Sequence, residues 1–112
     1  MRSPAARPSD DDLDRVFRAL SDRTRRALLL RLQQGPARVT DLAAPFDMSL
    51  AAVSKHVRVL EHAGLIERTI DGRVHECSLV AAPLENVAQW VERYRDFWTG
   101  TLDALASYVE DE

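Results

Sequence analysis

Apolar residues of this chain recur at helical spacing in five stretches and at strand spacing in two. Leu13, Val16, Phe17 and Leu20 stand at steps of three and four behind Ser9 and the acids Asp10, Asp11 and Asp12. A polar cap followed by early acids suits the free amides and positive dipole end of a helix, so the pattern predicts a helix there. Ser21 is predicted to break it and to cap the next, DRTRRALLLRLQQ, which buries Ala27, Leu28 and the leucines around them and stops at Gly35-Pro36. ARVTDLAAPF then predicts a very short extended piece and a helix of one to two turns capped by Thr40, with Leu42 and Ala43 inward. Pro45 ends it, since proline inside a helix lacks an amide and clashes with the preceding turn. After the turn Phe46-Asp47-Met48, Ser49 caps a helix that runs to Ala63, where Gly64 supplies a left-handed stop.

Two helices joined by so short a turn form a helix-turn-helix. Beyond Gly64 the period changes to that of a strand. LIERTI and RVHECSL flank Asp71-Gly72, a dipeptide suited to the positive φ angles of a two-residue hairpin turn. A helix-turn-helix followed by a β-hairpin is a winged helix, so the predicted fold is mostly α with a β-hairpin wing. Last, Leu84, Val87, Val91, Tyr94, Trp98, Leu102, Leu105 and Val109 form one amphipathic stripe, expected as a continuous helix of about seven turns. Residues 1–9, with two prolines and little to pack, are expected to be a flexible tail; residues 10–112 are expected to form one domain with a C-terminal dimerisation helix.

Composition fits this picture. At 112 residues and 46% apolar, the chain can bury one modest core. No run approaches the roughly 20 apolar residues of a membrane helix, and the start has no apolar signal-like centre, so a cytoplasmic location with no membrane partner is expected. The lone Cys77 has no partner for an internal disulfide. The net charge of −3 hides an uneven distribution. Residues 1–14 hold two arginines against four aspartates, and residues 80–112 two arginines against seven acids. The middle, residues 15–79, carries eleven Lys and Arg against seven acids, a net +4 that suits one surface meeting an anion.

At about 100° per residue, Val53, Val57 and Leu60 share the inner face of the Ser49 helix. The opposite face then carries Ala51, Lys55, Arg58 and His62, with Ser54 on its flank. In a helix-turn-helix the second helix enters the major groove of DNA N-terminus first. Ser54 can meet a base edge, Lys55 and Arg58 can reach guanine or phosphate, and Ala51 can lie against a thymine methyl. Arg68 and Arg73 flank the hairpin turn and are expected to present guanidiniums at the wing tip. Thr40, Ser49 and His56, on or beside the two helices, complete the candidate DNA-binding set.

The run from LSDRTRRALLLRL through GPARVTDLAAPFDMSLAAVSKHVRVLEHAGLIERTIDGRVHECSL resembles the ArsR family of bacterial winged-helix transcriptional repressors. WVERYRDFW…LDAL is similar to the last helix of one branch of that family. The resemblance spans roughly residues 10 to 110. It implies a homodimer that binds a palindromic operator in double-stranded DNA and represses transcription, often of its own gene. Ala51 departs from that branch, which often has proline there; alanine forms a helix equally well.

Many members of the family release DNA on binding metal, but the residues do not supply the usual sites. The helix bearing Thr40 has no cysteine, which removes the thiolate pair of the arsenic and cadmium sensors. The last helix has Glu92, Asp96 and Asp103 but no histidine, which removes the mixed zinc site of other members. His75 and Cys77 alternate onto one strand face, yet zinc needs three or four ligands. The expectation is therefore no metal and no cofactor, with a small-molecule effector of unknown identity left open. No phosphate loop, nucleophile elbow or HExxH motif points to an enzyme. A second class, a winged-helix module that binds an acidic protein, would more naturally expose a large apolar patch on the basic face. Dimerisation is expected through the first helix, with Leu13, Val16, Phe17 and Leu20, and the last, with Val87, Val91, Trp98, Leu102 and Leu105.

Overall fold

The structure is a computed structural model that describes residues 9–110. The tail expected over residues 1–9 therefore lies outside the described residues except for Ser9. Helix α1 (Asp10–Leu20) opens where the acids predicted, with the Asp12 amide donating to Ser9 Oγ at 3.1 Å. Ser21 ends α1 but does not cap α2 (Arg23–Leu32): its hydroxyl turns back to Arg18 O, and Asp22 is the N-cap, its carboxylate accepting from the Thr24 and Arg25 amides. A carboxylate accepts two amides where a hydroxyl usually serves one, so the cap moved one residue along. Strand β1 (Ala37–Arg38) leads into α3 (Val39–Ala43). Thr40 lies inside α3 and caps nothing; Arg38 holds the N-cap position without a side-chain bond.

Helix α4 (Leu50–His62) starts at Ser49, whose Oγ accepts from the Ala52 amide, and stops at Gly64, with φ of +77°. The wing is β2 (Ile66–Asp71) and β3 (Val74–Leu79), antiparallel, with Asp71 opposite Val74. The connecting residues are therefore Gly72 and Arg73, one position later than the predicted Asp71-Gly72, and only Gly72 has positive φ. β1 adds to the other edge of β3, giving a three-stranded sheet in the order β1-β3-β2.

One core joins these elements. Leu28 of α2, Leu42 of α3, Val53, Val57 and Leu60 of α4, Leu65, and Cys77 of β3 are all fully buried. Val16 belongs to this core at 3% exposure, so within one chain it is packing rather than a free interface residue. Leu13 and Leu20 are half-buried, and Phe17 is exposed.

The predicted single long helix is broken. Helix α5 (Ala82–Glu92) ends in a tight turn in which the Arg93 and Tyr94 amides reach back three residues to Trp90 O and Val91 O, and α6 (Arg95–Glu110) follows. Trp90 sits edge-on to Phe17 of α1 at 5.5 Å and 5.1 Å from Tyr94, which holds α5 on the body. Among the described residues α6 buries none, and the radius of gyration is 18.7 Å where a compact chain of this length would have about 13 Å.

Asp22 offers a test of the corrected cap. Its carboxyl is held below the ordinary aspartate range, first by the Arg25 amide and then, against some desolvation, by the Thr24 amide. Asp22→Ala should lower stability by about 1 kcal/mol in urea unfolding at neutral pH, while Asp22→Asn keeps most of it. Because the folded-state value is depressed, the stabilisation is present above the ordinary aspartate value and lost as pH falls through the depressed one, so wild type and Asp22→Ala should converge in acid. An equal effect of Ser21→Ala with none from Asp22→Ala would reject the assignment.

Candidate nucleic-acid interface

The packing of α4 decides which of its side chains are available. With Val53, Val57 and Leu60 turned inward, Ala51, Lys55, Arg58 and His62 are exposed and Ser54 is half-buried. Lys55 and Arg58 enter none of the ion pairs among the described residues. Thr40 and Ser49 are exposed at the same end of the motif, though the Ser49 hydroxyl is already occupied as the cap of α4.

His56 is placed differently from the sequence expectation. Its ring is half-buried, and Nδ1 lies 3.2 Å from Arg25 Nη1 of α2. Arginine only donates, so Nδ1 accepts and a neutral ring carries its proton on Nε2. The same guanidinium donates from Nε to Ala19 O at 2.7 Å and from Nη2 to Arg18 O at 2.9 Å. Arg25 thus ties the last turn of α1 to the middle of α4, with the half-buried His56 ring engaged in that tie through Nδ1.

Arg68 also departs from expectation. Its side chain is only 18% exposed and points back from β2 to α4, where Nη2 donates to Glu61 Oε1 at 2.9 Å. Nη1 lies 3.2 Å from His75 Nδ1, and Nε is buried without a partner. Arg68 is therefore a bridge between α4 and the wing; the guanidinium at the wing tip is that of Arg73, exposed beside Gly72. An open groove of about 400 Å³ runs between the start of α4 and the wing, lined by Arg38, Thr40, Ser54, Arg68, Arg73 and His75 with apolar Val39, Leu50 and Val74. Among the described residues no carboxylate lines it. Arg38 and His75 were missed as members of this surface, because nothing local in the sequence says that β1 pairs with β3 beside α4. The one legible hint was the short extended piece before Thr40.

The remaining chemistry is sparse. His75 and Cys77 lie on one strand, but the described residues hold no group of three or more His, Cys, Asp or Glu that could bind a metal. Cys77 is fully buried, and burial pushes its thiol above the ordinary range. No helix among the described residues is long and apolar enough to cross a membrane.

Comparison with known proteins agrees with this geometry. A family model for a helix-turn-helix domain matches residues 20–69. The transcriptional repressor SdpR of Bacillus subtilis is 32% identical over 79 residues, 70% of this chain and 88% of that one. The solved structure of an ArsR family transcriptional regulator, RHA00566, superposes with a TM-score of 0.77 at 39% identity, covering 84% of this chain and 97% of its own. The homodimeric winged helix-turn-helix DNA-binding domain Mb0332 of Mycobacterium bovis, solved by NMR, superposes at 0.62 with 27% identity, covering 79% and 90%.

The burial of Cys77 makes a direct prediction. Ellman's reagent should react with its thiol only as fast as the protein unfolds, and cadmium added to native protein should raise no thiolate absorbance. Rapid stoichiometric reaction of the native protein would show the thiol to be accessible.

Proposed function

This chain belongs to the ArsR family of winged helix-turn-helix transcriptional regulators, and from that premise we propose that it is a repressor that binds a palindromic operator as a homodimer. The observation that carries the reading is the outward face of α4, where Lys55 and Arg58 stand exposed and, among the described residues, unpaired, beside a groove that none of the described carboxylates lines. Such a face suits duplex DNA, with Ser54 and Ala51 near base edges and Arg73 at the wing tip. Repression is supported by the likeness to SdpR, and a dimer by the likeness to Mb0332. Two half-sites need two recognition helices at a spacing that protein symmetry holds.

The dimer surface in this reading is the apolar side of α5 and α6 with Phe17. Trp98, Leu102 and Leu105 are 59%, 63% and 57% exposed in the single chain. Val91 is also exposed, while Val87 packs partly on the core and helps seat α5. A water-soluble chain seldom leaves so continuous an apolar face uncovered, and covering Trp98 alone is worth a few kcal/mol. The exposed large apolar side chains beside α4 and on the wing are Met48, Leu50, Ile70 and Val74, fewer than those of α5 and α6, which favours DNA over an acidic protein on this face. In this reading the protein works in the cytoplasm. It does not respond to metal through Cys77, which stands or falls with the thiol accessibility test above.

Genomic footprinting would identify the bound duplex for the following measurements. Lys55→Ala and Arg58→Ala should each keep the fold by circular dichroism and weaken operator binding, by about 1 to 3 kcal/mol for a base contact or with a salt slope lower by about one for a phosphate contact. Unchanged affinity in both removes the assignment.

Leu105→Glu and Trp98→Glu should yield monomers by light scattering and lose operator binding although neither approaches the α4 face. A wild type that is monomeric at tens of micromolar, or a monomeric Leu105→Glu variant with normal operator affinity, would overturn the dimer.

A further inference from the structure

The groove between α4 and the wing is more specific than a basic surface, and its depth lies in the pair Arg68 and His75. We propose that this groove seats a backbone phosphodiester of the bound duplex, gripped by Arg38 and Arg73 and by a donor proton held on His75 Nε2. The inference rests on the DNA-binding reading and adds to it two residues, Arg38 and His75, and a new task for Arg68.

The argument starts from donor inventory. Arg38 on the β1 side and Arg73 on the wing side line the groove, and neither enters an ion pair among the described residues. Their charge is therefore free for a ligand, and a guanidinium matches two oxygens of a phosphate at once. Thr40 and Ser54 bring hydroxyls to the same groove. Arg68 lines it too, but its charge is spent on Glu61 at 2.9 Å, so it adds little attraction of its own. What it supplies is direction. Arg68 Nη1 faces His75 Nδ1 at 3.2 Å, and because arginine cannot accept, Nδ1 must present its lone pair. A neutral His75 then has its proton on Nε2, the nitrogen that Arg68 does not engage. The ring becomes an uncharged donor in a groove of donors. Glu61 completes the arrangement by holding Arg68 from α4, so the recognition helix and the wing share one hydrogen-bonded strut.

The ligand that fits is a singly charged phosphodiester presented at an open site between two elements that, in the DNA-binding reading, meet the same duplex. A carboxylate anywhere on the walls would oppose it, and among the described residues none lines them. The apolar Val39, Leu50 and Val74 leave room along the walls for the sugars on either side of a phosphate.

The test uses the full chain and the footprinted duplex, with affinity measured by anisotropy across a salt series. Arg38→Gln and Arg73→Gln should each lower the salt slope by about one, and the double variant by about two. His75→Phe should weaken binding about tenfold at every salt with the slope unchanged, and His75→Gln, which restores an uncharged donor, should recover part of the loss. A single methylphosphonate scanned along the duplex should find one position per half-site that weakens wild type and leaves the arginine double variant unaffected. Nitrogen-15 spectra should show His75 protonated at Nε2 and bare at Nδ1. If wild type binds the duplex but both arginine variants keep its slope, the seat is overturned while the DNA-binding reading survives; a wild type that binds no duplex specifically removes that reading itself. A proton found on Nδ1 removes the role given to Arg68. Calorimetry with inorganic phosphate separates the other source: if millimolar phosphate binds wild type but not Arg73→Gln while the duplex slopes stay equal, the groove serves a free anion and the duplex assignment is wrong.

Discussion

The rotation of α4 about its own axis is the setting on which the rest of the interface depends. Val53, Val57 and Leu60 are fully buried, and each such side chain returned to water would cost about 1.5 to 3 kcal/mol. Turning the helix by one residue would expose the stripe, so its orientation is held by several kcal/mol against thermal energy. Everything polar on α4 follows from that setting. Lys55 and Arg58 face out, His56 faces Arg25, and Glu61 faces Arg68.

Two guanidiniums then fix what apolar packing leaves adjustable. Arg25 joins the end of α1 to α4 from one side, and Arg68 joins β2 and β3 to α4 from the other. Half-buried ion pairs and neutral hydrogen bonds add little net stability, since desolvation offsets most of their attraction. Their geometry is restrictive all the same, because a planar fork has few ways to meet the three partners of Arg25 or the two of Arg68 at once. The recognition helix is therefore tied at its centre to a helix of the N-terminal side and near its end to the wing. Movement of either neighbour would be felt by α4.

The molecule also separates its charge and its apolar surface. The basic middle of the chain supplies α4 and the wing, while the acidic C-terminal stretch forms α5 and α6, whose apolar side stays open. The core closes without α6. Phe17, Trp90 and Tyr94 form the seam where the closed body meets the open helix, and the break at Arg93 and Tyr94 lies at that seam.

Much of this was legible from the order of residues alone. The helix starts at Ser9 and Ser49, the stop at Gly64, the hairpin and the inner stripe of α4 all depend on neighbours within a few positions, which periodicity and capping chemistry report directly. The outward positions of Lys55 and Arg58 follow from the same stripe. Errors of one residue, at the α2 cap and the hairpin turn, arose where two adjacent residues could each serve and the stronger acceptor or the strand register chose between them. The fates of His56, Arg68 and Val16, and the membership of Arg38 and His75 in the groove, were hidden, because each depends on a partner far along the chain. A long side chain such as that of Arg68 can reach solvent or a half-buried carboxylate with equal ease, and only the placement of Glu61 and His75 around it selects one. The sequence by itself determined which segments form and which way each turns its apolar face; the tertiary structure alone decided which polar groups those segments bring within hydrogen-bonding distance, because that distance is set by packing between elements and not by spacing within them.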